Sequence, residues 1–103
     1  MFVKICGVTN EDDALLSVAM GADAIGFNFW SQSSRYISVR DARQIVERLP
    51  DDVLTVGIFR NEARQKVVDT VHEVGLRAAQ MHGRESAEDC RWIAAMVLSL
   101  IHI

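Results

Sequence analysis

No apolar run in this 103-residue chain approaches the ~18 residues that a membrane-spanning helix needs. The longest, residues 97–103, is broken by Ser99 and His102. The chain does not open with a basic region followed by an apolar segment, so no secretory signal is read and a cytoplasmic protein is expected. Cysteine is scarce. Cys6 and Cys90 form no CxxC pair, which excludes a zinc ribbon or a dithiol motif, and two free thiols suit a reducing compartment. Basic runs are missing too, and the net charge is −3, so there is no electrostatic footprint for nucleic acid. Arg35, Arg40 and Arg43 lie close together but are interspersed with Asp41 and Glu47, as on a solvated helix face. Neither G-x-G-x-x-G nor G-x-x-x-x-G-K-[ST] occurs, which weakens any nucleotide-binding reading. No linker, low-complexity segment or second domain interrupts the chain.

What is present is an ordinary globular composition, 50% hydrophobic and 24% charged, in a chain just long enough to bury a core. Residues 2–6 read as a strand that ends in Cys6 and turns at Gly7. Thr9, with Asp12 three residues on, reads as the N-cap of a helix that Gly21 terminates. Residues 23–27 are the second strand, and residues 29–36, holding Ser31, Ser33 and Ser34, a loop. Ser38 and Asp41 start a second helix, which Pro50 stops. Residues 53–59 form the third strand, Asn61 caps the third helix, and Gly75 ends it. Residues 77–82 form the fourth strand, and Ser86 with Asp89 starts the fourth helix.

The order βαβαβαβα implies a parallel sheet covered by helices. Two architectures fit: a doubly wound open sheet, or half of an eightfold barrel, which needs ~200 residues or more to close. In either, chemistry collects at the carboxyl ends of the strands. Cys6, Arg35, Gln80 and His82 are the candidates there, because Gln80 and His82 share one face by alternation and Lys4 shares a face with Cys6. Each has a plainer role. Cys6 is a small hydrophobe in most contexts, Arg35 can be solvated in its Ser-rich loop, and His82 can hydrogen-bond a loop carbonyl. Lys4, if buried, needs a partner that the sequence does not identify. Cys90 falls on an apolar helix face and reads as packing, and His72 as a surface residue.

Five stretches carry a resemblance. They are Lys4-Ile5-Cys6-Gly7-Val8-Thr9, Gly21-Ala22-Asp23-Ala24-Ile25-Gly26-Phe27, Ser33-Ser34-Arg35-Tyr36-Ile37, Val56-Gly57-Ile58-Phe59 with Asn61, and Gln80-Met81-His82-Gly83. In this order and spacing the chain resembles the phosphoribosylanthranilate isomerase family of tryptophan biosynthesis. The resemblance implies about half of a (β/α)8 TIM barrel of the ribulose-phosphate-binding type. It implies an Amadori rearrangement of N-(5-phosphoribosyl)anthranilate to 1-(2-carboxyphenylamino)-1-deoxyribulose 5-phosphate, without cofactor or metal. Cys6 would be the general base, Arg35 would hold the anthranilate carboxylate, and Gln80 and His82 would line the pocket. The family's general acid, an aspartate on a later strand, and its phosphate site after the last strands have no counterpart in these residues.

The expectation is therefore a single partial barrel over residues 1–103, inactive alone and able to self-associate through open edges. Residues 95–103 are set apart as a doubtful, non-native tail rather than a fifth strand. Two other readings stay open. One is a thiol hydrolase pairing Cys6 with His82. The other is a non-catalytic half-barrel that assembles with a second chain or binds a small molecule.

Overall fold

The computed structural model describes residues 1–97 and the strand Leu100–His102; Leu98, Ser99 and Ile103 lie outside the described residues. The elements are β1 (Lys4–Ile5), α1 (Glu11–Ala19), β2 (Ala24–Asn28), α2 (Val39–Val46), β3 (Leu54–Phe59), α3 (Arg64–Val74), β4 (Ala78–Met81), α4 (Ala87–Met96) and β5 (Leu100–His102). Among the described residues no helix is long and apolar enough to cross a membrane.

All neighbouring strands pair in parallel, and the spatial order β1-β2-β3-β4-β5 is the order of the sequence. A doubly wound sheet reverses its strand order at a switch point, whereas a barrel winds in one direction. The sequential order therefore selects the barrel-type sheet. The fifth strand corrects the expectation that the sheet ends at β4: Ala79, Gln80 and Met81 pair with Leu100, Ile101 and His102. A three-residue strand has too little periodicity to read locally, and the backbone edge of β4 fixes it instead.

The outer face of the sheet and the helices enclose the main core. Ile25, Phe27, Phe59 and Met81 from the strands meet Ala42, Ile45, Val67, Val71 and Ile93 from the helices. Burying each of the larger side chains contributes about 1.5–3 kcal/mol. Ala24, Val56 and Ala78 pack together as a small second cluster, which alternation places on the opposite, inner face.

Three helices start with a side-chain cap, as polar N-cap residues dictate. The Ser38 and Ser86 hydroxyls accept from the Asp41 and Asp89 amides at 3.1 and 3.0 Å. In α1 the cap is Asn10, not Thr9: its Oδ1 accepts from the Asp13 amide at 2.8 Å. The α3 expectation fails as well. Ala63 occupies the cap position with no side-chain bond, and Asn61 is held two residues earlier with φ +51°. Asn can enter this left-handed region at modest cost, and here its side chain is engaged between loops, as described next. Gly75 ends α3 with φ +84°, the conformation that makes glycine the usual residue at that point.

Candidate functional site

Alternation along the strands sends Lys4, Cys6, Gly26, Asn28, Val56, Ile58, Ala78, Gln80 and, just beyond β4, His82 to the inner face. Gly26 sits between two of them. A Cβ there would lie 3.1 Å from Ile58 Cδ1 and 3.5 Å from Cys6 Sγ, so glycine opens space beside the thiol. Cys6 itself is exposed at the rim. The chain then turns sharply: the amides of Gly7 and Val8 both donate to the Gly26 carbonyl, at 3.0 and 3.2 Å. Gly7 has φ +77°, and a Cβ on it would collide with Arg35 Cδ. Glycine is required twice over here, for backbone conformation and for the approach of Arg35.

Residues 29–36 fold back over the end of β2. Ile37 donates its amide to the Asn28 carbonyl at 3.0 Å, and Phe29 stacks on Phe59 with ring centroids 5.5 Å apart. This return brings Arg35, remote in sequence, against the β1 turn. Its amide donates to Ser33 Oγ at 3.1 Å and its Nη1 to the Cys6 carbonyl at 3.5 Å. Cys6 and Arg35 are thus brought together. Gln80 is buried, and its Oε1 accepts from Lys4 Nζ across the inner face, which identifies the partner that Lys4 requires. His82 stands apart from that pair. Its amide donates to the Phe59 carbonyl at 2.7 Å, and its side chain lines a rim cleft of about 180 Å³ with Asn28, Trp30, Ser33, Ile58 and Arg60. Neither Cys6 nor Arg35 lines that cleft.

Several contacts at the rim escape a sequence reading. Arg60 stacks over the Trp30 ring, 4.6 Å from its centroid. Glu85 and Asn61 clasp two loops: the Asn61 amide donates to Glu85 Oε2 at 2.5 Å, and the Arg84 amide donates to Asn61 Oδ1 at 2.6 Å. Gly83 packs into this clasp so tightly that a Cβ would meet Asn61 Oδ1 at 2.5 Å. The clasp fixes the backbone that follows His82. Its only local signal is Asn61, the residue read as a helix cap. Cys90, expected to pack, is half-buried against the main core. His72 is exposed, with Nε2 2.9 Å from the Met96 carbonyl.

Comparison with known proteins places this geometry in context. The chain is 53% identical over 96 residues to N-(5'-phosphoribosyl)anthranilate isomerase of Thermotoga maritima, covering 93% of this chain and 47% of that protein. A crystal structure of phosphoribosyl anthranilate isomerase from Thermus thermophilus superposes with a TM-score of 0.95 at 39% identity, over 99% of this chain and 50% of that one. Another structure of the isomerase holds reduced 1-(o-carboxyphenylamino)-1-deoxyribulose 5-phosphate and superposes with a TM-score of 0.94 at 52% identity, over 96% and 51% of the two chains. The chain spans about half the length of the curated relatives it matches. Residues 3–102 match the sequence model of N-(5'-phosphoribosyl)anthranilate (PRA) isomerase, and the chain belongs to that family.

Proposed function

We propose that the chain supplies the β1–β5 portion of a cytoplasmic phosphoribosylanthranilate isomerase of tryptophan biosynthesis. The observation that carries this reading is Cys6: an exposed thiol at the end of β1, beside the gap at Gly26, under the side chain of Arg35. In the Amadori rearrangement the furanose opens to a Schiff base. Cys6, as thiolate, takes the proton from C2 of the ribose. The electron pair of that C–H bond forms the enolamine, which tautomerises to the ketone with no net gain or loss of atoms. Arg35 holds the carboxylate of the anthranilate group through its planar fork of donors. Gln80, its amide orientation set by Lys4, and His82 line the pocket. The acid that opens the ring and the phosphate site come from the second half of the barrel. No cofactor or metal takes part. The half-barrel self-associates when that second half is lacking.

The test is complementation. Co-expressed with the second half of the Thermotoga maritima relative, the chain should yield isomerase activity, and alone little or none. Cys6→Ser should lower the turnover of the assembled pair about 10²–10⁴-fold, the range for losing a general base. Undiminished activity in Cys6→Ser would refute the assignment of the base. Assembly without any turnover would favour the non-catalytic half-barrel instead.

A further inference from the structure

The clasp between Asn61 and Glu85 carries an inference that rests on the isomerase reading and goes beyond it. The parallel pairing of β3 with β4 ends where the His82 amide donates to the Phe59 carbonyl at 2.7 Å. The next rung of such a ladder falls two residues further on each chain, between the Arg84 amide and the Asn61 carbonyl. Asn61, with φ +51°, has left the strand conformation, and its side chain takes the place of that carbonyl: Oδ1 accepts from the Arg84 amide at 2.6 Å. Glu85 Oε2 in turn accepts from the Asn61 amide at 2.5 Å. A Cβ on Gly83 would lie 2.5 Å from Asn61 Oδ1 and 2.9 Å from Glu85 Oε2, so glycine is what lets these two side chains meet. Side chains thus extend the pairing past the last residues of both strands. Arg60 and His82 lie within the extension.

For stability alone Glu85 is a poor choice. Its Oε1 is buried with no hydrogen-bond partner among the described residues, which costs free energy. Its charge also adds to the effect of burial in pushing the Cys90 thiol up. What a carboxylate provides is an acceptor at both oxygens, so it never presents a donor to the Asn61 amide, and the bond it accepts is charge-assisted. Those properties suit a tie that must hold one geometry. We propose that Glu85 is a positioning residue for the isomerase reaction: through Asn61 it locks the turn after β3 onto the turn after β4 and so holds His82 in place at the rim.

The experiment uses the assembled pair, this chain with the second half of the Thermotoga maritima relative. A wild-type pair without turnover would refute the isomerase reading and this proposal with it. In an active pair, Glu85→Ala should lower kcat/KM about 10–10²-fold, the cost of a misplaced group. The melting temperature of the pair should stay within about 3 °C of wild type, because Asn61 is exposed and water can serve its amide. Asn61→Gly, which tolerates the left-handed backbone but removes the side-chain rung, should have the same effect. Glu85→Gln keeps an acceptor for the Asn61 amide and should restore most of the loss. Glu88→Ala removes an exposed carboxylate of α4 outside the clasp and should change nothing. In a His82→Ala background Glu85→Ala should cost little more, since residues that act through one group are not additive. The proposal falls if Glu85→Ala keeps wild-type kcat/KM, if Glu85→Gln is as impaired as Glu85→Ala, or if the Glu85→Ala and His82→Ala losses multiply in full. A loss of turnover matched by a lower melting temperature would also overturn it, because the clasp would then serve stability alone. In each of these cases the isomerase reading stands, judged by the turnover of the wild-type pair and its loss in Cys6→Ser.

Discussion

The two thiols of this chain have opposite surroundings. Cys6 stands exposed at the rim, whereas Cys90 is half-buried on α4. Burial pushes the Cys90 thiol above its ordinary value, and the carboxylates of Glu85 and Asp89 push it further. The consequence for stability has a definite sign. The folded state resists ionising Cys90, while the unfolded chain ionises it at the ordinary thiol pKa of about 8.5. The contribution of the neutral thiol is therefore complete below that value and is lost as pH rises through the higher folded value. The stability advantage of wild type over Cys90→Ala should shrink between pH 8 and pH 10, as measured by urea unfolding. An advantage that stays constant across that range would contradict the account. At this scale the sequence was informative where side chains alternate along a strand, as for Lys4, Cys6, Gln80 and His82. It put Arg60 just past the end of the third strand but was silent on its stacking over Trp30, which exists only after residues 29–36 fold back toward the end of β3.

At the scale of elements, four strands and four helices were legible because each helix has an apolar stripe and each strand a short apolar run. Their caps were less so. Thr9 and Asn10 are both good N-cap residues, and three-residue spacing to an acid fits either, through Asp12 or Asp13. Geometry decides: the Asn10 side chain accepts from the Asp13 amide at 2.8 Å and also donates to Asp13 Oδ2 at 2.9 Å. Glu11, Asp12 and Asp13 then lie in the first turn, where the helix dipole favours negative charge. Asn10→Ala should cost about 1 kcal/mol, while Thr9→Ala should cost markedly less. Chemical denaturation of the two variants measures both, and the reverse ranking would place the cap at Thr9. Asn61 was misread for a related reason. The residue type that caps helices also tolerates φ > 0, and its amide and side chain are used by Glu85 and Arg84, whose positions 23 and 24 residues away no local pattern reveals.

For the whole molecule, compactness and completeness diverge. The radius of gyration is 12.7 Å, close to the ~13 Å of a folded domain of this length. The accessible surface is 6192 Å² for 11.5 kDa, whereas a monomer of that mass is expected to show about 5,800 Å². Most of the exposed large apolar side chains gather at one end. Phe2, Ile5, Leu15, Leu16 and Met20 are all exposed, and all belong to the β1–α1 end of the sheet. β1 is also an end strand of the sheet order, pairing only with β2. An unpaired strand edge flanked by apolar side chains is a template for association. The 103-residue chain on its own should therefore sediment as a concentration-dependent mixture of monomer and dimer. Leu16, 58% exposed on α1, lies outside the main core, so Leu16→Glu should shift that mixture toward monomer while leaving the unfolding midpoint of the monomer nearly unchanged. Adding the second half of a relative's barrel should compete for the same face and dissolve the dimer. A chain that stays monomeric at all concentrations, with one sharp thermal transition, would show that the exposed end of the sheet is satisfied without a partner.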